Sequence, residues 1–163
     1  MSTLAENFAR LTALPPPTSA VYVHPGRLAA SGTAASFTTV VGSGAAVCIY
    51  DPVRGVGGMA HFLLPDRGNA PSATRYGDVA LTSLLEELGK LGGHSYRATV
   101  HGGSAPPIVS ETEHLGDRNV AAALSFLSSH GIPVLERDVG GKGARKIVFD
   151  LAGGAVQVTR VGA

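Results

Sequence analysis

The sequence is poor in cysteine, in charge and in long apolar runs. One cysteine among 163 residues allows no disulfide within the chain, which favours a reducing compartment. Charged residues amount to only 15%, and 13 basic against 12 acidic side chains give no electrostatic footprint for nucleic acid. No run approaches the roughly 18 apolar residues of a membrane-spanning helix, and the N-terminus lacks the basic start and apolar run of a secretion signal. These absences predict a cytoplasmic protein without membrane insertion.

The motifs of common nucleotide and metal sites are also missing. Gly143 follows Lys142, where a phosphate-binding loop would need serine or threonine. None of the six histidines stands at HxH or HExxH spacing, and a single cysteine cannot build a cysteine-based zinc site. We therefore expect no cofactor and no metal. His61 is the histidine to explain, because it lies in an apolar, strand-like run and needs a polar partner if buried.

Apolar residues, by contrast, are plentiful at 44%, and 22 positions are glycine. A chain of this length hides about 70% of its unfolded surface on folding, so its core needs neither metal nor disulfide. Residues 1–19 contain three consecutive prolines, which are typical of a flexible N-terminal tail. We expect residues 20–163 to form a single domain.

Hydrophobic periodicity predicts strands and two main helices. Short apolar or β-branched runs bounded by glycine, proline or aspartate indicate strands, among them 37–41, 45–50 and 57–64. Leucines recur at helical spacing over 81–91, and 117–130 has a similar pattern. The order is strands, helix, strand, helix, strands. It predicts an α+β layered sandwich of mixed β-sheet, with the two helices packed on the outside.

Six short motifs follow one another between residues 21 and 161. The longest has two parts, FTTVVGSGAAVCIYDP at 37–52 and GGMAHFLLP at 57–65. The others are His24-Pro25-Gly26, Arg75-Tyr76, His101-Gly102-Gly103-Ser104, Leu115-Gly116-Asp117-Arg118-Asn119, and Asp138-Val139-Gly140-Gly141 with Arg145-Lys146. Each motif alone is weak. In this order, however, they resemble the chemoreceptor glutamine deamidase family (CheD).

The resemblance implies a cysteine hydrolase that converts receptor glutamines to glutamates and releases ammonia. In such chemistry a thiolate attacks the carboxamide, a histidine moves protons, and water opens the thioester. The family's histidine falls on His61, and the threonine that orients it falls on Thr38, with Thr39 as the close alternative. Its nucleophile falls on Gly44. The implied partners are the cytoplasmic helices of methyl-accepting chemoreceptors and a phosphatase of the chemotaxis response regulator.

Gly44 departs from the family pattern, because glycine has no side chain that could attack a carboxamide. Cys48 lies four residues later, about 13 Å along a strand, and strand alternation points Ser43 to the opposite face. We therefore expect a protein that binds these partners without catalysis. Gly44 fits either a natural member that has lost its nucleophile or a laboratory substitution that traps an inactive form.

Two alternatives stay open at this point. The first is an active amidohydrolase that uses Cys48 or Ser43 as a substitute nucleophile. The second is an unrelated glycine-rich domain that binds a ligand. If the resemblance holds, the His61 ring should lie within about 8 Å of the Gly44 backbone, at a surface-accessible cleft.

Overall fold

The computed structural model describes residues 18–105 and 114–162. Within these residues the chain forms nine strands and two helices. The strands are β1 (Ser19–Tyr22), β2 (Arg27–Ser31), β3 (Ala35–Val41), β4 (Ala45–Asp51), β5 (Val56–Phe62), β6 (Arg97–Gly102), β7 (Val134–Val139), β8 (Ala144–Asp150) and β9 (Ala155–Val161). The helices are α1 (Gly77–Lys90) and α2 (Leu115–Ser129).

The strands form two sheets rather than one. A five-stranded sheet has the order β2-β5-β4-β6-β7, and a four-stranded sheet has the order β1-β3-β8-β9. Both sheets are mixed, because β6 pairs with β7 and β1 with β3 in parallel, whereas the other pairings are antiparallel. The two helices pack on the five-stranded sheet. This arrangement confirms the predicted α+β layered sandwich.

Strands β4 and β5 lie at the centre of the molecule. All seven residues of each strand are buried, because both faces of the five-stranded sheet are covered. On one face, leucines of α1 such as Leu84 and Leu88 join Val47 and Ala60 in an apolar core. On the other face, residues of the four-stranded sheet form a second core with the opposite side chains of β4 and β5. A strand covered on both sides shows a continuous apolar run, as these two do.

The pairing register decides which polar side chains enter the layer between the sheets. Ala46 of β4 faces the four-stranded sheet, and it pairs with His61 on one side and with His101 on the other. Residues paired across a sheet share a face, so both histidines point into the same layer. The polar groups of the candidate site are therefore enclosed between two sheets.

The predicted tail at 1–19 falls mostly outside the described residues, which begin at position 18. Strand β1 starts at Ser19, the last residue of that predicted tail. The domain boundary therefore stays a prediction. Over residues 18–105 and 114–162, no helix has both the length and the apolar character required to cross a membrane.

Candidate active site

His61 is held by a threonine hydroxyl in the layer between the sheets. The ring is 2% exposed, and its Nδ1 lies 2.8 Å from Thr39 Oγ1. That hydroxyl donates its single proton to the Val23 carbonyl oxygen, at 2.6 Å. The Thr39 oxygen can then only accept from His61, so the proton of the neutral ring sits on Nδ1. The other nitrogen, Nε2, is left unprotonated and basic.

Burial keeps the His61 ring neutral. It lowers the pKa of His61 from 6.5 to about 4, because the charged imidazolium is poorly solvated in this layer. Near neutral pH the ring is therefore in the form that can accept a proton through Nε2. A general base requires this form, although so low a pKa makes the isolated ring a weak one.

Position 44 faces the basic nitrogen of His61. A Cβ built on Gly44 would lie 3.3 Å from His61 Nε2 and 3.5 Å from Leu63 Cδ2. The Gly44 backbone does not have a positive φ, so its conformation is one that other residues also adopt. The prediction that positions 44 and 61 meet within about 8 Å is thus confirmed.

The space at position 44 is nevertheless closed. The same Cβ would lie 2.5 Å from the Phe62 carbonyl oxygen, nearer than two such atoms normally approach. A side chain here requires the backbone of Phe62 or of Gly44 to move by roughly half an ångström or more. Gly44 is also buried, as is His61. The two positions therefore meet at buried backbone next to half-buried Gly42 and Ser43, and the accessible cleft stays a prediction.

The structure places Thr39, and not Thr38, on the His61 ring. Successive residues of a strand face opposite sides, and β3 alternates between buried and half-buried positions. Thr39 is on the buried face, whereas Thr38 is half-buried and pairs with Val148 of β8. Thr38 is therefore corrected to Thr39 as the residue that holds the histidine.

Of the two substitute nucleophiles, Cys48 is not presented to a substrate. Cys48 is fully buried between the sheets. Burial raises the pKa of its thiol to about 12, with only a partial offset from a hydrogen bond to Thr99, so the reactive thiolate is absent near neutral pH. Ser43 is half-buried, and its carbonyl oxygen accepts a hydrogen bond from Asn119.

Backbone contacts from the residues just after β6 fix the loop that carries Gly44. The Gly103 N–H donates to the Gly44 carbonyl oxygen at 2.7 Å, and the Ser104 N–H donates to the Gly42 carbonyl oxygen at 3.0 Å. Gly102 also lies against the Gly44 backbone, because a Cβ built on Gly102 would be 2.5 Å from the Gly44 carbonyl oxygen. The motif at 101–104 therefore acts as the support of position 44, a role that its sequence does not reveal.

Arg145 holds together the loop that follows β6 and the loop that follows β7. Its guanidinium is fully buried and donates to Asp138 at 2.9 Å, to Ser104 Oγ at 2.9 Å and to the carbonyl oxygens of Gly102 and Gly140. A planar group with five N–H donors suits several acceptors at once. Arg145 thereby connects the motif at 138–141 to the loop that supports position 44.

A second histidine, His101, is buried in the same layer. Its Nε2 lies 3.0 Å from Thr99 Oγ1, and Nδ1 has no hydrogen-bond partner among the described residues. Burial lowers the pKa of His101 to about 4; Arg145 lowers it further, and Asp138 opposes the shift. Over residues 18–105 and 114–162, no cluster of three or more histidine, cysteine, aspartate or glutamate side chains could hold a metal ion.

Comparison with known proteins finds one family for this chain. The family model described as CheD chemotactic sensory transduction matches residues 63–160. A probable chemoreceptor glutamine deamidase CheD 1 of Anaeromyxobacter dehalogenans is 42% identical over 86% of this chain and 84% of its own length. Proteins with the name probable chemoreceptor glutamine deamidase CheD are similar in Bordetella petrii (42% identical, 81% of this chain, 61% of that protein) and in Rhodospirillum rubrum (38%, 86% and 81%).

Proposed function

The chain belongs to the CheD family, and we propose that it binds the partners of a chemoreceptor glutamine deamidase without hydrolysing glutamine. The observation that carries this proposal is the arrangement at position 44. A side chain there would meet the basic nitrogen of His61, and the residue present is glycine. The histidine and its threonine remain, while the group that would attack the substrate is missing.

The chemistry of the reaction shows which step is lost. In glutamine deamidation by a cysteine hydrolase, the thiol gives its proton to the histidine and the sulfur bonds to the carboxamide carbon. The C–N bond then breaks, ammonia leaves with the proton, and water hydrolyses the thioester to glutamate. His61 Nε2 could take the proton. Position 44, however, has no sulfur atom to form the first covalent bond to the carboxamide carbon. Loss of the nucleophile in a comparable triad slows catalysis roughly a million-fold, on the order of 8 kcal/mol of barrier.

Of the two alternatives, membership of the family overturns the unrelated glycine-rich domain. An active enzyme that uses Cys48 as its nucleophile is disfavoured by the site itself, whereas the Ser43 alternative stays a prediction. Cys48 pairs with Met59, and His61 directs Nδ1 towards Thr39 and Nε2 towards position 44. A carboxamide would have to enter the core between the sheets to reach the Cys48 sulfur.

We propose the same partners that the resemblance implies, and hence the cytoplasm as the place where they meet. These are glutamine-bearing cytoplasmic helices of methyl-accepting chemoreceptors and a phosphatase of the response regulator. A stable interface covers about 800 Å² on each partner, far more than one cysteine side chain. Removing the nucleophile therefore leaves most of a recognition surface in place.

Two measurements on the unmodified protein test the proposal. Pull-down with immobilised receptor cytoplasmic fragments and with the phosphatase should recover at least one partner class. Mass spectrometry of the receptor fragment should then show no gain of one dalton at its glutamines. Deamidation that disappears in His61→Ala would overturn the inactive assignment, and a folded protein that binds neither partner would overturn the binding assignment.

A further inference from the structure

The ladder between β4 and β5 includes His61 but ends just before position 44. Its last pair joins Ala45 to Phe62, so Gly44 and Leu63 lie beyond the paired residues. The Gly44 oxygen is bound by Gly103, and the Leu63 N–H donates to the Arg75 carbonyl oxygen. The backbone ladder alone therefore does not fix the spacing between position 44 and the segment that follows His61.

Asn119 of α2 bridges these two segments. Its side chain is fully buried, and Nδ2 donates to the Ser43 carbonyl oxygen at 2.9 Å and to the Leu63 carbonyl oxygen at 3.0 Å. A primary amide has two N–H groups, so both are used. One nitrogen atom thus connects the peptide before Gly44 to a residue just after His61.

Helix α2 is itself tightly placed against the support of position 44. Gly116, one turn before Asn119, lies against the Gly103 and Ser104 carbonyls, where a Cβ would overlap both oxygens. Gly103 in turn donates to the Gly44 oxygen. Any shift of α2 would move these contacts together.

We propose that Asn119 is the positioning residue that sets the distance between position 44 and His61 Nε2. Reactivity between a nucleophile and its base falls steeply with displacements of about 1 Å, so a fixed bridge at this point would govern the pair. Asn119 Oδ1 has no hydrogen-bond partner among the described residues. The contribution of the amide is therefore the two-donor bridge. This inference rests on the proposed site but needs neither a receptor nor a phosphatase.

The test places a reporter thiol at position 44 and measures its ionisation. In a Cys48→Ala background, Gly44→Cys carries the only thiol of the chain. The rate of alkylation by iodoacetamide across pH gives the pKa of that thiol. Beside His61 Nε2 we expect a value below the free-thiol value of about 8.5.

Asn119→Leu keeps a similar volume and removes both donors without adding charge. We expect the pKa of the introduced thiol to move up by about one unit and its alkylation at pH 7 to fall about tenfold, because less thiolate is present. Asn119→Ser can keep one donor and should give an intermediate value. Leu127→Ala is the matched control, since this residue is buried on the same helix in the apolar core. It should lower stability and leave the pKa unchanged.

Two results would overturn the proposal. One is a thiol pKa in Asn119→Leu that equals the value in its parent. The other is a shift of the thiol pKa in Leu127→Ala as large as the shift in Asn119→Leu. If the Gly44→Cys chain does not fold, hydrogen exchange at the Gly103 amide decides instead, with glycine kept at position 44. Asn119→Leu should then speed exchange at Gly103 more than at the amides of the β4–β5 ladder. Uniform acceleration would contradict a positioning role.

Discussion

Acid should destabilise this fold through its two enclosed histidines. His61 and His101 are 2% and 1% exposed, and burial lowers the pKa of each from 6.5 to about 4. Because the folded-state pKa lies below the unfolded one, the unfolded chain binds more protons between these two values. The contribution of the two neutral histidines to the free energy of unfolding is therefore fully present above about pH 6.5, and it is lost as the pH drops towards 4. A lowering from 6.5 to about 4 corresponds to on the order of 3 kcal/mol for each histidine.

Urea denaturation at pH 7.5 and pH 4.5 measures this effect. We expect the free energy of unfolding to fall by several kcal/mol between the two conditions, and by less in His61→Gln or His101→Gln. Asp51 should not contribute to the difference in stability between pH 7.5 and pH 4.5. Hydrogen bonds, led by the Ser95 N–H, hold the pKa of its carboxyl well below the usual range, so its stabilising contribution declines only below about pH 4. Equal stability at both pH values, or a fall that persists in the double variant His61→Gln/His101→Gln, would refute the reasoning.

Two further predictions concern the neighbours of His61. Thr39→Val removes the hydroxyl that accepts from His61 Nδ1, so we expect a loss of roughly 1–3 kcal/mol in urea denaturation and a changed tautomer ratio in ¹⁵N NMR of the ring. Thr38→Val should change neither, and equal effects of the two variants would contradict the corrected assignment. Gly44→Ala should cost roughly 1–3 kcal/mol, because the added methyl overlaps a carbonyl. Gly42→Ala is its control, as nothing lies within 4 Å of a Cβ there, and a neutral Gly44→Ala would show that the space is open.

The strand pattern predicted the layers but not their partition into two sheets. An apolar strand covered on both faces looks the same in sequence whichever neighbours it has, as β4 and β5 do. In the segment 37–41, the sequence likewise does not show which alternate residues of the strand face inward. It contains two adjacent threonines, and only the pairing of β3 with β8 decides which one faces inward. The sequence therefore located the threonine to within one residue and could not choose between Thr38 and Thr39.

The site was partly predictable because its central residues are close in the chain. Gly44 directly precedes β4 and His61 lies in β5, the next strand, so antiparallel pairing of the two strands across a short turn brings them together. Asn119 is different, since 76 positions separate it from Ser43, whose carbonyl it binds. Its motif was visible in the sequence, but its role follows from the packing of α2. The overlap of a Gly44 side chain with the Phe62 carbonyl likewise emerges only from strand geometry.

The missing nucleophile is tested most directly by ammonia release from a receptor cytoplasmic fragment. Three proteins are compared: the unmodified chain, Gly44→Cys, and Gly44→Cys with His61→Ala. We expect no release from the first, release with a one-dalton mass gain at receptor glutamines from the second, and loss of that activity in the third. Deamidation by the unmodified chain would contradict the central claim. So would a folded Gly44→Cys protein that binds the fragment and leaves its glutamines intact.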